Sequence, residues 1–484
     1  MSRPAPASSN LPPNKPRPLE IGNATSCGDT LSRAEPEMLR AQLEEREAAG
    51  APLRVGVIGA GRFGTMVVCQ LAAMRGMRPS VVADIDGDHA VQALAFAGFP
   101  SQGVARADAL SDIDAGIRRG IPVATDDPSL VPESSIDVLV EATGVPEAAV
   151  RSAVAAIAHG KHVVMVTVEA DVLVGSILRR MADRAGLVYS AAYGDQPALI
   201  YEMVDWASSL GFDVVAAGKG TKYLPAYRKG TPDDIWARYG VNHHDSRSLN
   251  PRMYNSFLDG TKSAVEMAAV ANMTGLRPDV RGMHFPPAGI DRLPEVLKPA
   301  EAGGILRRMG VVEVVSSLDR NGRPVSNDLR WGVYVVLTSR HPYIRRCLAD
   351  YGLPVDRTGA YAAMYRPYHL VGMELPVSIA RAALSRQATG APLPVPVAAV
   401  ACAAKRPLAA GEVLDGEGGY MVYGLIDDAA STRRERLLPM GLSRGATIVR
   451  PVAEDALLRF DDVTLDASGA LYRLWREQMA LLAC

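Results

Sequence analysis

The chain has 484 residues, 48% of them hydrophobic, and its 52 Lys and Arg nearly cancel its 53 Asp and Glu. That length supports two or three cores rather than one. The balanced charge excludes a global field for nucleic acid or an acidic membrane, so an anionic substrate has to be held by local charge.

Residues 1–19 mix Pro, Ser, Ala and Asn without the apolar core of a secretory signal, and read as a disordered tail. Glu35 to Ala48 is expected to form a helix with Met38, Leu39 and Leu43 on one side, so 1–50 is a tail with a leading helix. A nucleotide-binding region is expected over 51–191. Val55, Val57 and Ile58 make a strand, Gly59, Gly61 and Gly64 a glycine-rich turn with Arg62 and Phe63 inside it, and Thr65 to Ala73 a helix. The first glycine permits the tight turn, the second lets a pyrophosphate approach, and the third allows close packing of helix on strand. A second strand, Ser80 to Asp84, ends in a carboxylate about 20 residues beyond the last glycine, the spacing that suits the ribose hydroxyls of NAD.

Apolar runs then alternate with helical ones: Ile136–Glu141, Ala148–His159, His162–Thr167 and Val172–Ala185. The alternation implies a doubly wound parallel sheet covered on both faces. The loops at Thr143, Gly144 and Glu169 follow strand ends, where such sheets bind ligands. For Glu169 a role confined to the helix dipole stays equally open.

Over 192–390 a catalytic α+β region is expected. The strand Phe212–Ala217 runs into Gly218-Lys-Gly-Thr-Lys-Tyr223, read as a small flexible turn that presents Lys219 and Lys222 to developing oxyanions. From Ser263 a helix apolar nearly all round carries charge. Asp259, Lys262 and Glu266 at i, i+3 and i+7 are expected on one stripe, with Asn255 a turn further back. Ionised groups on a buried helix persist where they balance each other or a polar ligand. His243-His244 reads as a loop pair rather than a metal site.

Residues 391–484 read as a small β-rich domain. The apolar stretch 391–404 is broken by three prolines and too short to span a membrane. The five cysteines, scattered and without CxxC spacing, read as reduced thiols of a cytoplasmic protein.

With these motifs in view the chain resembles the homoserine-dehydrogenase-like oxidoreductases that end in a SAF-like domain, and within them the DRL proteins, reductoisomerase-like enzymes that convert 1-deoxy-D-xylulose 5-phosphate to 2-C-methyl-D-erythritol 4-phosphate. The resemblance spans residues 51–466 and rests on Val57-Ile-Gly-Ala-Gly-Arg-Phe-Gly64, Gly194-Asp-Gln-Pro197, Ala217-Gly-Lys-Gly-Thr-Lys222, Asp259-Gly-Thr-Lys-Ser263 with Glu266, and Lys405 to Leu414. It implies a Rossmann domain, a catalytic and dimerisation domain, and a homodimer. Homoserine dehydrogenases carry an Asn-Lys pair where this chain reads Thr167-Val-Glu-Ala-Asp171, which argues against homoserine as substrate.

The resulting expectation is an NADP- or NAD-dependent oxidoreductase coupling hydride transfer to a ketol or aldol-type rearrangement of a sugar phosphate, with no nucleic acid or membrane partner. Lys219, Lys222 and Lys262 would stabilise alkoxide or enediolate charge, and Asp259 or Glu266 would move protons. The resemblance leaves room for Mg²⁺ or Mn²⁺ without naming ligands. Two alternatives stay open: an NAD-dependent sugar-acid oxidoisomerase, such as one acting on apionate, which Asp84 favours, and a non-catalytic dinucleotide-sensing regulator.

Overall fold

The computed structural model describes residues 38–100, 103–240 and 249–482. The tail, Cys27, Cys484 and the His243-His244 pair lie outside the described residues. The leading helix is seen as α1 (Leu39–Ala48), in which Leu43 is buried.

The first sheet uses β1 (Leu53–Ile58), β2 (Met77–Ala83), β3 (Ala105–Arg106), β4 (Val123–Thr125), β5 (Val138–Glu141), β6 (His162–Met165) and β7 (Tyr189–Ala191). All run parallel in the order β3-β4-β2-β1-β5-β6-β7. Between them lie α2 (Arg62–Ala73), α3 (Gly87–Phe96), α4 (Leu110–Arg118), α5 (Pro146–Ala158) and α6 (Val168–Arg184). Alternate strand residues enter opposite layers, as the pleat requires. Val138 and Val140 join Val67, Val68 and Leu71 of α2, while Leu139 joins the core that holds α5 and α6. This is the doubly wound Rossmann arrangement. The chain crosses from one half to the other between β1 and β5, which opens a crevice at their carboxyl ends.

The second sheet is mixed. It contains β8 (Asp213–Thr221), β9 (Arg277–Pro278), β10 (Val311–Ser316), β11 (Val333–Thr338) and β12 (Tyr361–Arg366), ordered β12-β11-β8-β10-β9. Its helices are α7 (Gln196–Ser209), α8 (Ile235–Tyr239), α9 (Pro251–Leu258), α10 (Thr261–Thr274), α11 (Leu293–Val296), α12 (Pro342–Asp350) and α13 (Pro376–Ala380). Two expectations need correction here. The segment Gly218–Thr221 is no flexible turn, because β8 runs straight through it. Its glycines serve close packing: a Cβ on Gly218 would lie 1.7 Å from Glu313 O, and one on Gly220 2.0 Å from Leu329 O. Nor do Asp259 and Asn255 share a stripe with Lys262 and Glu266. Gly260, at φ +88°, breaks the helix, so Asp259 ends α9 while Lys262 and Glu266 stand one turn apart on α10.

Helix α10 is buried on nearly all sides, since α6, α7, α9, β8, β10 and the C-terminal strands all pack against it. Those strands are β13 (Ala398–Ala404) and β14 (Val422–Asp428), an antiparallel pair, and β15 (Thr447–Ile448) and β16 (Val463–Thr464), a second pair. Two further helices, α14 (Ala429–Arg434) and α15 (Ala470–Leu481), complete the region. Helix α15 packs on α5 and α6, with the Glu147 carboxylate accepting from Ala470 and Leu471 N–H at 2.9 Å.

Candidate active site

The glycine loop gives each glycine a distinct role. A Cβ on Gly59, at φ +99°, would lie 2.5 Å from Ala142 O, and one on Gly64 would lie 1.8 Å from Gly59 O. Gly61 faces open space within 4 Å, and no side chain caps the helix it begins. The first N–H groups of α2, including those of Arg62 and Phe63, are left with the positive dipole end facing that space. This chain therefore fits a dinucleotide pyrophosphate at Gly61. At the tip of β2, Asp84 accepts from Ala60 N–H at 2.8 Å and Asp86 N–H at 3.1 Å, tying the acid to the same loop.

On the other side of β1, the loop after β5 carries Thr143 and Gly144. The Thr143 N–H and hydroxyl donate to Glu141, at 2.9 and 2.5 Å, and Gly144 N–H donates to Thr167 Oγ1 at 3.0 Å. Burial raises the pKa of Glu141, opposed by the hydroxyls of Thr143 and Thr167. Thr143 and Gly144 thus stand at the carboxyl end of β5, beside the crevice between β1 and β5. Glu169, in the first turn of α6, pairs with Lys262 of α10 at 2.5 Å.

That pair opens a charged cluster inside the protein. Lys219 of β8 pairs with Glu266 of α10 and donates to Gln196 Oε1 at 2.8 Å. Burial opposes a charge on Lys262, yet the carboxyl groups of Glu169, Glu266, Glu417 and Asp195 outweigh it and raise the lysine pKa. Asp195 caps α7, accepting from Gln196 N–H at 2.8 Å. Burial and then Glu266 push its pKa upward, while Lys262 and His369 oppose. The His369 ring donates through Nδ1 to Trp331 O at 2.6 Å.

Of the expected catalytic side chains, Lys219, Lys262 and Glu266 converge. Asp259 is turned toward the C-terminal strands. Its Oδ1 accepts from Thr261 N–H at 2.8 Å, and its Oδ2 lies 2.8 Å from Lys405 Nζ. That contact is a pairing of charges, for Lys405 directs its hydrogen bonds to Gly230 O and Gly419 O. Asn255 is a brace, donating to Gly230 O and Gly418 O, both at 3.0 Å. Lys222 leaves the cluster and donates to Arg238 O at 2.6 Å, at the end of α8. Burial and Arg330 lower its pKa.

Asp195, Gln196, Lys405 and Glu417 were not singled out as site residues in the sequence. Gly194-Asp-Gln-Pro197 had the signal of a cap before a helix, and Glu417 sits between glycines in Asp415-Gly-Glu-Gly-Gly419, a pattern that exposes a carboxyl on a tight loop. Among the described residues, no group of three or more His, Cys, Asp or Glu is placed to hold a metal ion. Nor is any described helix long and apolar enough to cross a membrane.

Two family descriptions match the sequence: the catalytic domain of oxidoreductase DRL over residues 194–375, and the NAD binding domain of homoserine dehydrogenase over residues 59–188. The two matches together support assignment of the chain to the DRL oxidoreductases. The chain is accordingly an NAD(P)-dependent oxidoreductase, with the Gly59–Gly64 loop inside one match and the Lys219, Lys262 and Glu266 cluster inside the other. Residues after 375 lie beyond both matches, so the whole C-terminal β region stands outside them.

No curated protein matches the chain. Solved structures with a similar fold include a probable dehydrogenase from Thermotoga maritima, at 14% identity, covering 59% of this chain and 73% of that one with a TM-score of 0.32. Another is scyllo-inositol dehydrogenase from Lactobacillus casei with bound NAD(H) and scyllo-inositol, at 12% identity, 60% and 74% coverage and a TM-score of 0.32. A third is a UDP-N-acetylglucosamine 3-dehydrogenase from Acidithiobacillus ferrooxidans, at 12% identity, 70% and 91% coverage and a TM-score of 0.36. These are likenesses of fold alone.

Proposed function

We propose that this DRL oxidoreductase is a reductoisomerase, coupling rearrangement of an α-hydroxy-ketone phosphate to hydride transfer, as in conversion of 1-deoxy-D-xylulose 5-phosphate to 2-C-methyl-D-erythritol 4-phosphate. The observation that carries the reading is the convergence of Lys219, Lys262 and two carboxylate partners near the loops expected to hold a nicotinamide. The bound cofactor supplies the hydride. Lys262 and Lys219 provide positive charge for an alkoxide or enediolate oxygen, in a site where burial strengthens that attraction. Glu169 and Glu266 hold the two ammonium groups in place, and Asp195, kept toward its neutral form, is a proton donor beside Glu266. Gly61, Arg62, Phe63, Asp84, Thr143 and Gly144 hold the dinucleotide.

One observation favours a second reading, an NAD-linked oxidoisomerase of branched sugar acids. Asp84 is joined by Asp86 and Asp88, and the nearby Arg106 is already paired to Asp88 at 2.5 Å. Such a rim disfavours a ribose 2′-phosphate. The test is a screen at the nicotinamide absorbance, with 1-deoxy-D-xylulose 5-phosphate plus NADPH in one arm and branched sugar acids plus NAD in the other. Turnover in the first arm alone supports the reductoisomerase, turnover in the second alone supports the oxidoisomerase, and NAD binding without turnover in either returns the sensing regulator. We further take 391–484 as the SAF-like domain of the resemblance, and a homodimer as the assembly, to be read from the mass in solution.

A further inference from the structure

The C-terminal β region places one carboxyl group on the same cavity as Glu169, the partner of Lys262. Glu417 lies on the connection from β13 to β14 and lines a cavity of about 280 Å³ together with Glu169, Val172, Leu173, Val265 and Trp475. Its loop is pinned on both sides. The Arg252 guanidinium of α9 donates to Asp415 O and, at 3.3 Å, to Glu417 O. Asn255 and Lys405 hold the next two carbonyls, Gly418 O at 3.0 Å and Gly419 O at 2.7 Å. Gly418 has φ +65°, and a Cβ there would lie 2.0 Å from Arg252 O, so the loop is pressed against α9 at the position after the carboxyl.

We propose that Glu417 is an acid–base group of the active site, so that the C-terminal β region completes the catalytic centre. Charge balance supports the assignment. Four carboxyl groups, from Glu169, Glu266, Glu417 and Asp195, bear on Lys262. Glu169 pairs with Lys262 and Glu266 with Lys219, and neither Asp195 nor Glu417 has an ion pair among the described residues, although Arg433 and Arg436 also line the Glu417 cavity. Like charges so placed favour the neutral form of the unpaired groups. The ionisable groups facing Glu417 are Glu169 on α6, Asp259 at the end of α9 and Lys262 on α10; burial first, then Glu169 and Asp259, push its pKa up to about 8 against the pull of Lys262.

Burial and its carboxyl neighbours thereby hold Glu417 toward its protonated form. The step rests on the oxidoreductase reading. A bound reduced nicotinamide would supply hydride to a substrate carbonyl carbon, and as the new C–H bond formed the C=O π pair would move to oxygen. The Glu417 O–H bond breaks, its proton bonds to that oxygen, and the resulting carboxylate stays beside Lys262. In the oxidative direction the carboxylate takes the hydroxyl proton back.

Two measurements on the full chain test the assignment. In the cofactor-free protein labelled with ¹³C at glutamate carboxyls, one resonance is expected to titrate near pH 8 and to be missing from Glu417→Gln. If Glu417 is instead ionised throughout pH 6–9, the proposal is overturned, whether or not a substrate has been found. In turnover with a substrate identified by the screen, Glu417→Gln is expected to lower kcat by at least about 100-fold, remove the limb of the pH profile near 8, and leave the cofactor Kd within threefold. A variant with wild-type kcat overturns the proposal, whereas a wild-type protein inactive with every substrate overturns the substrate reading instead. Should Glu417→Gln not fold, Glu417→Asp retains an acid one methylene shorter and is expected to keep the pH limb with about 10-fold lower kcat; wild-type kcat in that variant counts against the proposal.

Discussion

Lys219 and Glu266 reach each other from a strand and a helix 47 residues apart, and both are sealed from water, with 5% and 4% of their surface exposed. Removing one partner of such a pair strands the other charge and costs about 3–5 kcal/mol, whereas replacing both by apolar side chains is often neutral. Lys219→Met and Glu266→Leu should each lower the denaturation midpoint strongly. The double variant should recover most of the stability and none of the turnover. Recovery of turnover in the double variant would show that the pair is architectural.

The three glycines of the nucleotide loop should separate by phenotype. Gly61→Ala has room for its methyl group and is expected to keep the wild-type Tm while weakening dinucleotide binding by at least about 10-fold, since a Cβ would stand where the phosphates approach. Gly64→Ala meets the Gly59 carbonyl and should fail in stability first. Thermal melts with and without cofactor read both outcomes.

Cofactor choice should respond to Asp84. Asp84→Ser removes a negative charge from the ribose rim and is expected to shift the ratio of NADP to NAD affinities by about 10-fold or more toward NADP, read from dissociation constants. A ratio that stays put would place the discrimination elsewhere.

Lys222 and Lys262 should behave differently. Lys262→Met is expected to keep cofactor affinity and lose at least about 100-fold in kcat. Lys222→Met, whose ammonium serves the carbonyls ending α8, should instead loosen that helix and change kcat by less than about 10-fold. Equal losses in kcat from both would restore Lys222 to the chemistry.

Stability should fall in acid through His162. Its Nδ1 accepts from Val188 N–H at 2.9 Å, and burial, then Arg386, lower its pKa from 6.5 to about 4. The folded state therefore binds fewer protons than the unfolded chain between those values, and stability present in full above pH 6.5 is lost progressively as pH falls toward 4. His162→Asn should flatten this part of a Tm profile taken from pH 7 to 4; an unchanged slope would assign the loss to other groups.

The Rossmann half was legible because its signals are local: a strand, three spaced glycines and a helix follow one another within residues 54–73. The lysine and carboxylate side chains of α10 were legible for a related reason, since charge on an apolar helix is anomalous wherever the helix lies. What misled were glycines. At Gly218 and Gly220 they admit neighbouring carbonyls within a straight strand, and at Gly260 one ends a helix whose charge spacing appears to continue. Glu417 offered only the signal of a tight loop and Lys405 only a place in a motif, because their contacts with α9 are tertiary.

The hold of Glu147 on the first turn of α15 joins positions 323 residues apart and brings the end of the described chain back to the flank of the nucleotide sheet. During synthesis the early strands can emerge and pair well before this latch exists. The wall that Trp475, Gln478 and Met479 give to the Glu417 cavity forms last. A ribosome stalled near residue 390 would then display a nucleotide sheet while the Glu417 cavity still lacks that wall.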